Sequence, residues 1–265
     1  MDAFHAAVLG LIQGLTEFLP ISSSGHLVLM PLLFGWEDQS LAFDVAVHFG
    51  TLLAVVAYFR RELVALVPAA FRPLRGGGLD AQGRMAWGLA LATLPACLAG
   101  FLLRAVFDIE WHDPLLVAAN LVIFGLLLGW ADARWRGSRG EAELGFGEFF
   151  LLGCAQALAL SPGTSRSGIT MTAAMAMGLS RVAAARVSFL MAVPVIAVAA
   201  VYELGGLLVS GAPAPWLEIA IGAAVAMLSG LACIHFLLKL LASYGFLPFV
   251  LYRLALGGII VLVFL

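Results

Sequence analysis

Charge is what this chain has least of. Asp, Glu, Lys and Arg make up 11% of its 265 residues, where soluble domains carry about 25%. The formal net charge is −2, so no basic surface invites nucleic acid. Cysteine is almost missing. Cys97, Cys154 and Cys233 stand singly in apolar stretches, without disulfide or metal-ligand spacing, and read as small packing residues. A basic leader is missing too. Met1-Asp2-Ala3-Phe4-His5 carries no Lys or Arg, and Gln13 and Glu17 interrupt what would be the apolar core of a signal peptide, so this N-terminus is expected to stay in the mature protein. What remains is apolar: 63% of residues are hydrophobic and the mean hydropathy is +1.05. These values describe an integral membrane protein with no room for a soluble domain.

Six stretches, at 41–59, 85–103, 114–130, 182–202, 216–238 and 248–265, are long enough to span a hydrocarbon core of ~30 Å, which needs about 20 residues. Two other regions are broken. Arms 3–19 and 27–34 flank Pro20 and a serine run, and arms 146–160 and 169–179 flank Ser161-Pro162-Gly163. Short apolar arms around such a break describe re-entrant hairpins, because irregular backbone survives at that depth only where protein or a polar cavity surrounds it.

The charges agree with that layout. If each hairpin enters and leaves on one face, the loops 60–84 and 134–139 share a face with Arg181 and Lys239. The other face receives Glu37, Asp38, Asp108, Glu110, Asp113 and Glu203, with Arg104 as its one clear cation. The positive-inside rule makes the Arg-rich face cytoplasmic. The first hairpin then enters from outside and the second from the cytoplasm. A shift of 143 residues places Gly10 on Gly153, Gln13 on Gln156, Ser22 on Ser165, Ser23 on Arg166, Ser24 on Ser167 and Gly25 on Gly168. The expected fold is an all-α polytopic membrane protein with about six transmembrane helices and two re-entrant helical hairpins in an inverted-topology repeat. It forms one domain, 1–265, with halves of roughly 1–130 and 145–265, and its site is expected near the midplane where the halves meet.

The two breaks hold the chemistry. Gln13 and Glu17 are four apart and share a helix face, with Thr16 beside them. Beyond Pro20, Ser22, Ser23, Ser24 and His26 supply hydroxyls, turn amides and an imidazole, and Gly25 permits a tight backbone. Carboxylate, hydroxyl and imidazole so close together form an acid/base and nucleophile set; the plainer reading is a helix-end cap. In the second break, Thr164-Ser165-Arg166-Ser167-Gly168 opens a helix, whose N–H groups, positive dipole end and guanidinium form an anion cradle suited to phosphate. The plainer reading there is a structural Arg166–Glu17 pair across the repeat. Asp44 and His48, one turn apart, either line the mouth of the site or form a solvent-facing pair. Arg186 and Arg253 near helix ends read as snorkelling, His5, His112 and His235 as interfacial or packing residues, and Met171, Met175 and Met191 as core. Pro95 and Pro194 fall inside spans.

Gln-Gly-Leu-Thr-Glu-Phe-Leu-Pro-Ile-Ser-Ser-Ser-Gly-His over residues 13–26, with Pro-Gly-Thr-Ser-Arg-Ser-Gly over 162–168, closely resembles the undecaprenyl-diphosphatase family of the bacitracin-resistance (BacA) type, over essentially the whole chain. The resemblance implies a bacterial inner-membrane hydrolase that converts undecaprenyl diphosphate to undecaprenyl phosphate, regenerating the carrier lipid for peptidoglycan and conferring bacitracin tolerance. Its active site would open to the periplasmic face. The family's catalytic residues carry over to Glu17, Ser23, His26 and Arg166, with Ser23 and His26 both open as nucleophile. Gln13, Ser22, Ser24, Thr164, Ser165, Ser167 and Gly168 are the expected phosphate-binding set. A divalent cation, Mg2+ or Ca2+, is implied at Glu17 and Gln13, where many members carry two carboxylates and this chain has one. The implied partners are a polyprenyl diphosphate and the surrounding membrane lipid, with a homo-oligomer left open. The rival readings are a transporter or flippase for a phosphorylated lipid and, more distantly, an anion channel.

Overall fold

The computed structural model describes residues 1–36, 40–103, 113–210 and 215–265. Glu37, Asp38, Arg104, Asp108, Glu110 and His112, and the side chain of Glu203, lie outside the described residues. The first half holds α1 (Ala3–Thr16), α2 (Ser23–Phe34), α3 (Leu41–Tyr58), α4 (Arg60–Phe71), α5 (Ala81–Leu102) and α6 (Pro114–Arg134). The second holds α7 (Phe146–Ala157), α8 (Arg166–Ala176), α9 (Arg181–Ser210), α10 (Trp216–Leu241) and α11 (Leu247–Phe264). Among the described residues six helices are long and apolar enough to cross a membrane, namely α3, α5, α6, α9, α10 and α11. They match the six expected spans to within a few residues.

Local chemistry sets the helix starts. Side chains of Asp2, Ser40, Asp80 and Asp113 accept from backbone N–H groups of the first turns of α1, α3, α5 and α6, which would otherwise have no partner. Pro114 follows Asp113 at the first helical position, where a missing N–H does no harm. Each hairpin is two short helices around a break, and the two breaks share one geometry. Ser22 (φ 75°) and Ser165 (φ 71°) are the non-glycine residues with positive φ among those described. They occupy equivalent repeat positions. Ser22 Oγ accepts from Gly25 N at 3.3 Å and Ser165 Oγ from Gly168 N at 3.1 Å. Ser22 Oγ lies 3.3 Å from Ser24 Oγ, and Ser165 Oγ 3.2 Å from Ser167 Oγ.

The halves exchange partners. Helix α1 packs on α10 of the other half, and α7 packs on α5. A Cβ at Gly10 would fall 2.4 Å from the Gly222 carbonyl oxygen, and one at the equivalent Gly153 would fall 2.4 Å from that of Ala92. Backbone contact this close is how small residues let helices associate in lipid. Helix α3 meets its counterpart α9, and α6 meets α11. Three spans per half is an odd number, so the second half starts on the opposite face and the repeat is inverted.

Fully buried Met171, Met175 and Met191 lie in the core as expected. Phe18, at the tip of the first hairpin, meets Phe189 of α9 edge-on at 5.3 Å. Several expectations need correction. Residues 60–71 are helix α4, not loop; its exposed Val64, Val67 and Phe71 make an apolar stripe on a helix too short to span. Arg186 does not snorkel, because it bonds Glu141 at 2.6 Å and Glu62 at 2.8 Å. Cys154 is exposed rather than packed, whereas Cys233 is buried with its Sγ 3.2 Å from the Leu15 carbonyl. Arg139 ties the base of the second hairpin, donating to Glu148 of α7 at 2.8 Å and to the Met177 carbonyl at 2.7 Å.

Topology is testable with single cysteines in a chain whose three native cysteines are replaced. Labels at Arg75 and Arg136 should react with an impermeant thiol reagent from one face, and labels at Leu41 and Trp216 from the other. Reaction of Arg75 and Leu41 from the same side would break the arrangement.

Candidate active site

Glu17 is the node at which the halves meet. Helix α1 ends as Pro20 approaches, and the i, i+4 spacing brings Gln13 Nε2 to 3.0 Å from Glu17 Oε2. The chain turns through Ser22, and Ser23 Oγ donates to the same Oε2 at 2.6 Å. From the other half, Arg166 Nη2 donates to Glu17 Oε1 at 2.7 Å, while its Nη1 holds the Ser188 carbonyl of α9 at 2.9 Å. His48 Nε2 stands 3.7 Å from Glu17 Oε2, and His48 Nδ1 lies 2.7 Å from the Asp44 carbonyl. His48 therefore lines the site instead of pairing in solvent. Glu17 and Arg166 are 7% and 14% exposed. At that burial the desolvation of both charges offsets much of their attraction, so the pair is a geometric constraint more than a source of stability.

His26 belongs to the same break but faces another way. Its Nδ1 is 2.7 Å from the Ser22 carbonyl and its Nε2 is 2.6 Å from Tyr252 Oη. A carbonyl can only accept, so Nδ1 carries the proton and Nε2 accepts from Tyr252. Among the described residues no hydrogen bond joins His26 to Glu17 or Ser23.

The second break is less open than expected. The Gly168 N–H donates to Ser165 Oγ rather than outward, and Ser167 Oγ is taken by the Leu19 carbonyl at 3.0 Å. Ser22 and Ser24 likewise pair with each other. These hydroxyls fasten the breaks and each other, leaving Glu17, Ser23 and Arg166 as the side chains that converge from the two halves. Among the described residues Thr164 Oγ1 is buried without a partner, as are Gln13 Oε1 and both amide atoms of Gln156.

Sequence reasoning missed Asn120, Ser188, Tyr252 and Arg253. Asn120 Nδ2 donates at 2.7 Å both to Ser161 Oγ and to the Pro162 carbonyl, bracing the second break. Arg253 does not snorkel, since it is fully buried among backbone carbonyls. Asn120 in α6 and the Tyr252-Arg253 pair in α11 are polar residues inside apolar spans, but each lies within about two turns of its helix start and so passes for an interfacial residue.

The fold and site define a polytopic all-α membrane protein whose inverted halves share one enclosed polar centre. The chain belongs to the bacitracin resistance protein BacA family, whose profile matches residues 6–259. It is 46% identical over 267 residues to undecaprenyl-diphosphatase 2 of Stutzerimonas stutzeri (strain A1501), covering 100% of this chain and 99% of that one. It is 48% identical over 258 residues to the undecaprenyl-diphosphatase of Hahella chejuensis (strain KCTC 2396), covering 97% of each.

A double-mutant cycle checks the node. Unfolding of Glu17→Ala, Arg166→Ala and the double variant should yield a coupling of about 0.5–3 kcal/mol, the range for residues in direct contact. Additive effects within error would mean that the pair does not form.

Proposed function

We propose that this protein is an integral-membrane phosphatase that hydrolyses undecaprenyl diphosphate to undecaprenyl phosphate and phosphate. The observation that carries the reading is the 2.6 Å bond from Ser23 Oγ to Glu17, with Arg166 of the other half on the second carboxylate oxygen. A hydroxyl bonded to a carboxylate is an activated nucleophile, and a guanidinium beside it can receive a phosphate bidentately. The family membership and the names of the two relatives point to the same substrate.

In the mechanism we favour, the diphosphate reaches the site from the outer face with its prenyl tail left in lipid. Ser23 Oγ attacks the terminal phosphorus and its proton passes to Glu17 Oε2. The oxygen–phosphorus bond to the prenyl phosphate breaks, and undecaprenyl phosphate leaves as an anion. Water then attacks the phosphoserine as the bond from phosphorus to Ser23 Oγ breaks, the proton on Glu17 returns to that Oγ, and dihydrogen phosphate departs carrying both protons of the water. Arg166 and the positive end of α8 stabilise the charge that develops on the equatorial oxygens. His26 is set aside as nucleophile because its Nε2 is turned to Tyr252.

A divalent cation, magnesium or calcium, is part of the proposal. Gln13 Oε1 is a buried acceptor with no partner among the described residues, next to Glu17, and hard oxygen donors suit either ion. Among the described residues no group of three His, Cys, Asp or Glu could hold an ion alone, so substrate phosphates would have to complete the shell. Bound there, a cation would supply neutralisation of phosphate charge. The proposal further places the chain in the bacterial inner membrane, treats it as one domain with halves near 1–130 and 145–265, and assigns it to carrier-lipid recycling and bacitracin tolerance.

Phosphate release by detergent-solubilised protein, with and without chelator, tests the reading directly, because a transporter or flippase does nothing without a bilayer. Glu17→Gln should lower turnover by about a hundredfold or more, whereas Gln13→Ala should keep a measurable fraction. Gln13→Glu should stay active and depend more steeply on magnesium or calcium, since it adds an anionic ligand. Normal turnover in Glu17→Gln would remove the carboxylate from the mechanism. Arg166→Lys keeps the charge but loses the fork, and should fall by about ten- to a hundredfold; near-normal activity would refute bidentate contact at that position.

A further inference from the structure

Arg253 sits within α11, an apolar span that would ordinarily exclude a guanidinium. It is completely buried, and the bonds it makes run to backbone carbonyls. Nε donates to Leu121 at 3.1 Å and Nη1 to Pro20 at 3.1 Å. Nη2 donates to Asn120 at 3.1 Å, Gly163 at 2.9 Å and Thr164 at 3.1 Å. Pro20 is the break of the first hairpin, Gly163 and Thr164 are the break of the second, and Asn120 and Leu121 lie in α6. One side chain therefore holds three separate segments.

Neighbouring positions make room for it. A Cβ at Gly125 of α6 would stand 3.2 Å from Arg253 Cβ, and one at Gly168, in the first turn of α8, 3.3 Å from its Nη1. Among the described residues no carboxylate pairs with Arg253. Among the described residues its charge is met by carbonyl dipoles, and its Nη1 lies close to Gly168 in the first turn of α8, the helix that carries Arg166.

We infer that Arg253 is a positioning residue of the site. Its guanidinium locks the two breaks together at the depth where Ser23 of one half and Arg166 of the other face Glu17, and it leaves an uncompensated positive charge beneath α8. The physical reason is donor geometry. A break at membrane depth leaves carbonyls that no water can satisfy, and the planar guanidinium offers five N–H groups in a fixed fan. Lysine has three donors on one point and cannot reach three segments at once. The uncompensated charge adds to the dipole of α8 in attracting an anion, here the diphosphate.

The inference rests on the phosphatase reading, and one experiment separates the two. Full-length wild type, Arg253→Lys and Arg253→Gln are purified in detergent and their melting temperatures measured. Steady-state hydrolysis of a polyprenyl diphosphate then follows well below those temperatures, with inorganic pyrophosphate as inhibitor. Arg253→Lys should keep KM and the pyrophosphate inhibition constant within about twofold while kcat falls by about a hundredfold, the loss expected when reacting groups shift by ~1 Å. Arg253→Gln should lose kcat similarly and also raise both KM and the inhibition constant by about tenfold. An inactive wild type would sink the phosphatase reading itself. With an active wild type, variants that melt lower but keep normal kcat and KM would reduce Arg253 to packing and overturn the inference. Failure of both variants to fold would overturn it as well, by making Arg253 a determinant of folding. Unchanged pyrophosphate inhibition in Arg253→Gln would remove the charge from it.

Discussion

A helix broken inside an apolar environment leaves backbone groups that no solvent can reach, and this protein has two such breaks. The first is satisfied by the second half of the chain, and the second by Asn120 of the first half together with Arg253 of its own. Ser167 of the second hairpin takes the Leu19 carbonyl of the first, Arg166 takes Glu17, and Arg253 takes carbonyls from both. Neither break is chemically complete alone. The polar centre is thus a by-product of solving a solvation problem: the groups that close the breaks are the groups left facing each other.

The repeat supplies one scaffold and two chemistries. Ser22 and Ser165 both hold a left-handed backbone, which costs a non-glycine residue about 1–3 kcal/mol and is sustained here by equivalent serine–amide bonds. Each directly precedes the residue that meets Glu17. In the first half that residue is Ser23, a hydroxyl; in the second it is Arg166, a guanidinium. The same turn aims both, from opposite sides, at one carboxylate. Only the first half supplies that carboxylate, since the position equivalent to Glu17 is Leu160.

Much of this was legible in the chain. Hydropathy located the six spans because length and apolarity are all that spanning demands, and Pro20 and Pro162 marked the breaks because proline cannot extend a hydrogen-bonded turn. The Glu17–Arg166 pair was the plainer of the two readings open for Arg166, beside the anion cradle, and it is the one the structure forms. What stayed hidden depended on packing across the fold. Arg253 lies a turn or so inside its helix, a place from which a side chain could reach water, and nothing local reveals that α6 and both breaks close over it. The Gly168 amide looked free because helix starts usually leave such groups open; whether Ser165 turns back to cap it depends on a backbone angle that sequence does not display. Helix α4 hid in a loop because its Arg pair and Pro68 resemble a connector in composition.

The exchange of partners between halves also sets an order of assembly. Helix α1 ends at Thr16 and its main support, α10, begins at Trp216, so the ribosome must add about 200 residues, some 10–40 s of bacterial-scale synthesis, before that surface exists. Helix α7 meets no such delay, because α5 precedes it. During biosynthesis the carboxylate-bearing hairpin is the part that waits, with α1 packed on α2 and α3 until α10 arrives, and the nascent chain acquires its polar centre as one of its last acts.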